Sequence, residues 1–136
     1  PMRSQKPHKK LDVWKMSIEL VVEVYRLTEA LPDTEKYNLV SQMRRAAVSI
    51  PANIAEGAAR NTKKEFVNYL HIAKGPLSEL DTHSEISRRL GYLSDQQVVQ
   101  LEKLLERTDS MLSGLIRFER SSHASRITSH EEQKRT

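Results

Sequence analysis

The sequence predicts an all-α protein, an antiparallel up-down-up-down four-helix bundle. Leu, Ala, Glu, Lys and Arg are plentiful and aromatic residues are few, a composition typical of helical proteins. Four segments repeat apolar residues at spacings of three and four, and no segment has the two-residue period of a strand. Because only a few residues connect these segments, neighbouring helices are expected to be antiparallel.

The first helix is predicted to run from about Asp12, a suitable N-cap, to Leu31, where Pro32 stops it. Its apolar residues cover more than half of the helix circumference: Val13, Trp14, Ile18, Leu20, Val21, Val22, Val24, Tyr25 and Leu27. One neighbouring surface cannot bury so wide an arc. The first helix therefore predicts a second set of neighbours, supplied by another subunit.

The second helix is predicted to extend from Thr34 or Glu35 to about Ala59, and it has three faces. The bundle-core face consists of Leu39, Met43, Ala46, Ile50, Ile54 and Gly57. The opposite face carries small apolar side chains and one arginine: Val48, Pro51, Ala55 and Arg44. Small side chains let another backbone approach closely, so this face is predicted to be a subunit interface.

A polar stripe lies beside the core face of the second helix and consists of Gln42, Arg45, Ser49, Asn53, Glu56 and Arg60. In one interpretation, Arg45, Asn53, Glu56 and Arg60 line a groove that holds a ligand or a phosphate. In the other, Glu56 and Arg60 form an i,i+4 pair, and Arg45 or Arg44 neutralises Glu56 between subunits. We favour the second interpretation, which adds Arg45, Asn53 and Glu56 to the predicted interface.

The third helix is predicted to start at Thr62, which has capping-box spacing to Glu65. Gly75-Pro76 is expected to interrupt and kink it, because proline lacks a backbone donor. Gly91 is placed to end it as a left-handed residue. The buried face is predicted to consist of Phe66, Leu70, Ala73, Leu77 and Leu80.

The fourth helix is predicted to open at Ser94, which again has capping-box spacing to Gln97. A bundle seam follows at alternating steps of three and four: Val98, Leu101, Leu105, Thr108, Leu112 and Leu115. From Ser121 onward the chain is polar and aperiodic. Residues 121–136 are therefore expected to form a disordered tail.

The net charge of +4 is concentrated at the two ends of the chain. Residues 11–120, the predicted bundle, carry 15 Lys and Arg against 16 Asp and Glu. Residues 1–10 form a basic arm, expected to be disordered, without an acidic residue: Arg3, Lys6, Lys9 and Lys10. Such an arm can hold phosphates by releasing their counterions, or it can be a solvated leader.

The sequence shows no constellation for catalysis or for binding a metal or another cofactor. None of the glutamates has a histidine three residues later, and His71 and His83 lie about 18 Å apart along one helix. The absence of cysteine excludes disulfides and fits a reducing compartment. There is no run of about 18 apolar residues, and the first residues lack the apolar core of a signal peptide. We expect a non-enzymatic protein of the cytoplasm, with no membrane partner.

The block RRAAVSIPANIAEG, from Arg44 to Gly57, carries a family resemblance together with DVW at Asp12, EF at Glu65, LHIA at Leu70 and LGYL at Leu90. Over about residues 11–118 the chain resembles the four-helix bundle family also called the 23S ribosomal RNA intervening-sequence proteins. The resemblance implies ring-like homopentamers encoded within insertions of bacterial ribosomal RNA genes or as freestanding copies. It implies no enzymatic activity.

The family is also similar in fold to accessory proteins of diversity-generating retroelements, which implies contact with nucleic acid or a polymerase. The chain departs from the family pattern at three positions. Pro76 replaces an expected serine, and Ser84 and Ser87 replace residues that are usually apolar. The end of the third helix is therefore expected to pack more loosely.

Two functions follow from these observations. In the first, a ring projects its basic arms toward ribosomal RNA or DNA, and three residues near a helix start add phosphate contacts: Arg60, Lys63 and Lys64. In the second, the ring is a structural adaptor that holds a protein partner, which the balanced charge of residues 11–120 favours.

Overall fold

In a computed structural model the chain forms four α-helices: α1 (Asp12–Thr28), α2 (Ser41–Ala58), α3 (Lys63–Arg89) and α4 (Asp95–Arg135). The structure describes the backbone of residues 6–135 and the side chains of residues 6–9 and 11–121. No residue within this range belongs to a strand. The predicted all-α class with four helices is confirmed.

The first helix is shorter than predicted at its carboxyl end. Asp12 is the first helical residue rather than the N-cap, a position taken by Leu11. The helix ends at Thr28, and a hydrogen-bonded turn continues to Leu31. The residue before a proline disfavours helical torsion angles, so Pro32 ends the helix before the predicted Leu31.

The segment before α2 is less regular than the single continuous helix that the sequence predicts. A 3₁₀ turn spans Asp33–Glu35 and a π-helical turn spans Lys36–Val40, so α2 itself begins at Ser41. The carboxylate of Glu35 accepts a hydrogen bond from the backbone N–H of Leu39 at 3.3 Å. This side chain satisfies a donor at the entrance of the helical segment, where backbone N–H groups lack partners.

The predicted starts of α3 and α4 and the predicted end of α3 are confirmed. The hydroxyl of Thr62 accepts from the backbone N–H of Glu65 at 3.2 Å. Ser94 and Gln97 form a reciprocal capping box, with bonds of 2.9 and 3.1 Å. Gly91 follows α3 with a φ of +79°, a left-handed conformation that costs glycine little.

The predicted interruption of α3 at Gly75-Pro76 is wrong, because α3 is one helix from Lys63 to Arg89 with Pro76 inside it. A Cβ placed on Gly75 would meet nothing within 4 Å. Ser84 and Ser87 are fully buried. Each donates its hydroxyl to a carbonyl oxygen of its own helix, which satisfies the polar group inside the core.

One hydrophobic core draws on all four helices, and its largest fully buried apolar side chains are Leu20, Val24, Met43, Ile50, Ile54, Leu70, Leu80, Leu101 and Leu112. In spatial order, α1 packs on α2 and α4, and α3 packs on α2 and α4. The predicted seam of α4 is buried as far as Leu112. Its last position was wrong: Ile116 is buried, while Leu115 is only half-buried.

Ion pairs join α3 to α4 in a regular order. They are Lys63–Glu119 at 3.8 Å, Lys74–Asp109 at 3.3 Å and Arg88–Asp95 at 3.3 Å. As the α3 partners advance along the chain, the α4 partners retreat. The up-down-up-down order of the whole bundle stays a prediction.

The described ends of the chain differ from the predicted irregular segments. Pro7–Lys10 form a 3₁₀ turn that contacts α1 and α2, and the ring of His8 lies edge-on to that of Trp14 at 5.1 Å. Arg3 lies outside the described residues. The backbone of α4 is helical to Arg135, where the sequence predicts a disordered tail. The division into arm, bundle and tail stays a prediction.

Candidate nucleic-acid interface

The close approach of α2 and α3 determines the geometry of one end of the bundle. Near the end of α2, a Cβ placed on Gly57 would come within 2.6 Å of the Cβ of Tyr69 and 3.0 Å of a ring carbon of Phe66. Such distances leave no room for a side chain. Gly57 therefore lets the start of α3 lie directly against α2, and the loop between them brings Arg60 over Tyr69.

Arg60 is held by contacts within the chain. Its guanidinium lies 5.0 Å from the centre of the Tyr69 ring and donates a hydrogen bond of 2.7 Å to the Tyr69 hydroxyl. It also pairs with Glu56 one turn earlier in the sequence. The predicted i,i+4 pair is therefore present, and 40% of the Arg60 side chain remains exposed. A guanidinium oriented in this way keeps donors available for an anion.

The two predicted lysines at the start of α3 have different surroundings. Lys63 is half-buried, and its ammonium lies 3.8 Å from the carboxylate of Glu119 on α4. Lys64 is exposed, and no ion pair to another described residue involves it. Of the two, Lys64 is the better placed to contact a phosphate.

Arg120 of α4 lies close to this cluster, and sequence analysis did not select it. One of its guanidinium nitrogens is 2.9 Å from Nε2 of His71 on α3, and both side chains are exposed. From the sequence alone, His71 has no predicted catalytic or metal-binding role. Arg120 is recognisable in the sequence as a basic residue. Its contact with His71 could not be predicted, because 49 residues separate the two.

Two open concavities meet at Lys64. One, of about 520 Å³, is lined by Arg60, Thr62, Lys64, Glu65, Asn68 and Tyr69. The other, of about 270 Å³, is lined by Lys63, Lys64, Val67, Glu119 and Arg120. We call these residues together the basic end of the bundle, since their cations outnumber their carboxylates.

The described part of the basic arm packs against the bundle. The turn Pro7–Lys10 contacts α2, and the first residues of α1 line a small cleft with Met111, Gly114 and Leu115 of α4. Lys6 is exposed and Lys9 is half-buried. The side chain of Lys10 lies outside the described residues, as does Arg3.

Arg44, a predicted interface residue, has its partners inside its own chain. Its Nε donates to the hydroxyl of buried Thr28 at 2.9 Å, and its guanidinium lies over the Tyr25 ring at 4.4 Å. Another nitrogen donates to the Tyr25 carbonyl at 3.3 Å, and the carboxylate of Glu29 is 3.9 Å away. Within a single chain, Arg44 thus joins α2 to the end of α1 and does not neutralise Glu56.

The residues of the small apolar face of α2 differ in how far they are exposed. Pro51 is buried inside the chain, so its predicted place on an outer face was wrong: this side of α2 packs toward α1. Val48 is 43% exposed and Ala55 is half-buried. Val48 and Ala55 remain candidates for contact with another subunit.

The polar stripe of α2 forms local bonds. The amide of Asn53 donates to the Ser49 carbonyl at 2.8 Å, and the hydroxyl of Ser49 donates to the Ala46 carbonyl at 2.6 Å. Arg45 is exposed. These bonds give Ser49 and Asn53 partners on their own helix, and whether the stripe lies between subunits stays a prediction.

Exposed apolar side chains follow one another along α1. Ile18, Val22 and Tyr25 follow one another at helical spacing and are 38%, 49% and 41% exposed. The stripe lies on the side of α1 that meets α2, because Tyr25 contacts Arg44 there, one turn before Val48. We call these four residues, Ile18, Val22, Tyr25 and Val48, the apolar stripe.

A groove between α3 and α4, of about 920 Å³, has the opposite charge. Its lining includes the carboxylates of Asp81, Glu102, Glu106 and Asp109, and one cation, Lys74, which is bonded to Asp109 and Ser113. The charge that is balanced in sum over residues 11–120 is therefore separated in space. Four cations lie at the basic end of the bundle, and four carboxylates line this groove.

The farther end of α3 carries a surface ion-pair cluster. Glu85 accepts hydrogen bonds from Arg88 and Arg89 at 2.7 and 2.9 Å. These two guanidinium groups lower the pKa of Glu85 to about 2, and Glu85 in turn raises the pKa of Arg88. The cluster keeps these two arginines locally neutralised, in contrast to the basic end.

Two further properties concern only the described part of the chain. It contains no group of three His, Cys, Asp or Glu side chains that could hold a metal ion. Among its helices, none combines the length and hydropathy needed to cross a bilayer.

Comparison with known proteins places this geometry in a family. The model of the family described as 23S rRNA-intervening sequence protein matches residues 9–114, which is more than half of the chain. The chain belongs to this family. The suspected resemblance is thereby confirmed, and the family is not a known enzyme family.

A solved relative of this 23S rRNA-intervening sequence protein has the same fold. It is a protein of unknown function from the S23 ribosomal protein family of Bacteroides thetaiotaomicron VPI-5482. The two chains are 25% identical with a TM-score of 0.71, over 76% of this chain and 97% of the other. No curated protein matches the chain.

The family match covers only part of the basic end. Arg60, Lys63, Lys64 and His71 lie inside residues 9–114, whereas Arg120 lies beyond them. The cluster thus joins residues of the matched region to a residue of α4 outside it.

Proposed function

We propose that this protein is a non-enzymatic, oligomeric four-helix bundle of the cytoplasm that binds RNA or DNA through its basic end. The proposal rests on the positions of three cations at two open clefts. Lys64 lines both clefts, Arg60 lines one of them and Arg120 lines the other. Exposed cations bind phosphates by releasing counterions, largely without regard to base sequence. The family description refers to a ribosomal RNA, so structured ribosomal RNA is the first ligand to test.

In this proposal the helices follow an antiparallel up-down-up-down order. The reversed order of the three ion pairs between α3 and α4 supports it. The contact of Arg44, near the start of α2, with Thr28 at the end of α1 supports it for the first pair of helices.

A second copy of the chain covers the apolar stripe in the assembled protein. Three of its large side chains are exposed on α1 although α2 and α4 already pack against that helix. The resemblance implies a ring-like homopentamer. Five copies would present five basic ends and five basic arms, each arm carrying Arg3, Lys6, Lys9 and Lys10, and several weak sites would then bind one nucleic acid with high avidity.

The test combines the mass of the assembly with a binding series. Light scattering gives the mass, and in the same buffer a fluorescent RNA hairpin and a DNA duplex are titrated over a range of salt concentrations. We expect affinity to fall steeply with salt, because each phosphate contact contributes about 0.7–0.9 to the slope of log K against log salt. Absence of binding near physiological salt would contradict the proposal.

Paired variants locate the binding surface. Replacing Arg60 and Lys64 by Gln removes two cations from the basic end, and replacing Lys103 and Arg107 by Gln removes two exposed cations elsewhere on α4. We expect the first pair to weaken binding and reduce the salt slope, and the second pair to leave both nearly unchanged. Equal effects would show that binding depends on net charge alone.

The alternative function is a structural adaptor that holds a protein partner without contacting nucleic acid. The acidic groove between α3 and α4 favours it, because a basic segment of a partner would meet Asp81, Glu102 and Glu106 there. Replacing these three residues by Asn or Gln separates the hypotheses. An adaptor would lose its partner, whereas nucleic-acid binding would persist or strengthen as repulsion falls.

A further inference from the structure

Arg60 presents a flat cation over an aromatic ring at the basic end. Its Nη2 donates hydrogen bonds to the hydroxyl of Tyr69 and to the carboxylate of Glu56, and its guanidinium lies over the Tyr69 ring. The hydrogen bonds of a guanidinium lie in its own plane, so they leave its two faces uncovered. The Tyr69 ring lies on one side, and 40% of the Arg60 side chain remains exposed. The outward face of Arg60 is therefore an open planar surface held in a fixed orientation.

Arg60 and Tyr69 line the larger of the two clefts at the basic end. Its volume of about 520 Å³ falls within the range of about 300–1,000 Å³ that is usual for small-molecule sites. Two further polar side chains in the lining are exposed: the amide of Asn68 offers donors and an acceptor, and the carboxylate of Glu65 offers acceptors. The edge of a nucleobase also carries donors and acceptors, so these groups can pair with it.

The charges of the lining favour a base over a phosphate in this cleft. Glu65 brings a carboxylate into the lining, and the charge of Arg60 is already partly neutralised by Glu56. A phosphate beside Glu65 would be repelled, whereas the N–H donors of a neutral base would be attracted. Lys64 lines this cleft and the neighbouring one, which contains Arg120. A phosphate held by Lys64 would thus have the larger cleft beside it for its own base.

We propose that the larger cleft binds one unpaired nucleobase, stacked on the outward face of the Arg60 guanidinium, while Lys64 holds the adjoining phosphate. The ligand is accordingly a single strand or an unpaired loop rather than a continuous duplex. The inference rests on the proposed nucleic-acid function, and it adds a base-binding element and a preference for unpaired strands.

Stacking can be separated from general attraction to phosphates. The bases of a duplex are stacked on one another, whereas unpaired bases can stack on aromatic rings or on the plane of an arginine. Attraction to phosphates alone favours the duplex, because its charge density is higher. Salt weakens that attraction far more than it weakens a stacking contact. A preference for the single strand that grows with salt is therefore the signature of base binding.

The experiment uses the full chain and a short fluorescent RNA of unstructured sequence, alone or annealed to its complement. Fluorescence anisotropy measures the affinity for both forms at about 50 and 200 mM salt. For the wild type we expect the single strand to bind about fivefold or more tightly than the duplex at the higher salt concentration, and by a smaller factor at the lower one. Equal or tighter binding of the duplex at both salt concentrations would overturn the inference.

Three variants test the role of the arginine plane. Arg60→Lys keeps the charge but removes the planar surface, so we expect the preference for the single strand to be lost while affinity still falls with salt. Lys64→Gln removes a charge and keeps the plane, so it should weaken binding of both RNAs by a similar factor. Arg107→Lys makes the same exchange at an exposed arginine elsewhere on α4 and should resemble the wild type. Circular dichroism checks that each variant is folded.

The outcomes separate this inference from the proposed function. If Arg60→Lys bound both RNAs and kept the preference of the wild type, stacking on Arg60 would be overturned and attraction to phosphates would remain. Loss of the preference in Arg60→Lys but not in Arg107→Lys would support the base-binding cleft. No binding of either RNA by the wild type would overturn the proposed function and, with it, this site.

Discussion

Gly57 and Tyr69 lie in direct contact, with only 2.6 Å between a Cβ placed on Gly57 and the Cβ of Tyr69. The contact seats the start of α3 against the end of α2, and it brings Tyr69 under the guanidinium of Arg60. Because Gly57 has no side chain, α3 can approach α2 closely enough for Tyr69 to contact Arg60 in the loop between the two helices.

Replacing Gly57 by Ala should destabilise the protein by about 1–3 kcal/mol, because α2 and α3 must separate to admit the methyl group. Urea unfolding followed by circular dichroism measures the change. Gly75→Ala is the matched control: the added methyl meets nothing within 4 Å, and the helix should gain about 0.5–1 kcal/mol. Equal effects at both sites would contradict the tight contact.

Replacing Arg44 by Met should destabilise the single chain by about 1 kcal/mol, because the bond to Thr28 and the contact with the Tyr25 ring are lost. Arg45→Met, at an exposed neighbour, should change stability by less than about 0.5 kcal/mol. Unfolding is measured alongside mass by light scattering. If Arg44→Met changed the mass and left stability within a subunit intact, Arg44 would act between subunits instead.

Replacing Val22 by Glu should reduce the mass of the assembly, because a charge in the apolar stripe would be desolvated when a second copy covers it. Sedimentation or light scattering at several concentrations detects the change. Val99→Glu places the same charge at a similarly exposed valine on α4, where we expect no effect. A wild-type chain that is monomeric at all concentrations would refute the predicted oligomer.

Stability should fall in acid as Glu85 is protonated. Arg88 and Arg89 lower its pKa from about 4.5 to about 2 in the folded chain. A lowered folded pKa means that the stabilisation is fully present above pH 4.5 and is lost as the pH falls toward 2. Urea midpoints at pH 7, 4.5 and 3 should therefore converge between wild type and Glu85→Gln at the acidic end.

A second variant shows whether the loss of stability in acid is specific to Glu85. Glu106→Gln removes an exposed glutamate of α4 that forms no ion pair with another described residue. Its midpoints should run parallel to those of the wild type over this range. If Glu85→Gln and Glu106→Gln behaved alike, the arginines would not stabilise the Glu85 carboxylate.

Much of the fold follows from local patterns that a sequence displays directly. Apolar periodicity predicts four helices, the hydroxyl groups of Thr62 and Ser94 predict where α3 and α4 begin, and the conformational freedom of Gly91 predicts where α3 ends. Such bonds join residues a few positions apart, so tertiary structure is not needed to anticipate them. The prediction that failed at Pro76 assumed that a proline interrupts a helix, although packing can hold a proline inside one. The prediction that failed at Pro51 came from its position around α2, and tertiary packing buries it instead.

The candidate site could be predicted only in part from the sequence. Arg60, Lys63 and Lys64 could be selected because they are consecutive cations near a helix start. The contact of Arg120 with His71 could not be selected, because it spans 49 residues and depends on how α3 and α4 are paired. The separation of charge into a basic end and an acidic groove could not be predicted from the sequence for the same reason.

The amino-acid sequence alone was therefore sufficient for the presence of four helices, the starts of α3 and α4 and the family resemblance, which all depend on short-range spacing. Tertiary structure decided which charges meet, which prolines are buried and which apolar residues of α1 stay uncovered. The physical reason is distance along the chain. Electrostatic and packing energies depend on separation in space, and in this protein the residues that determine them lie on different helices.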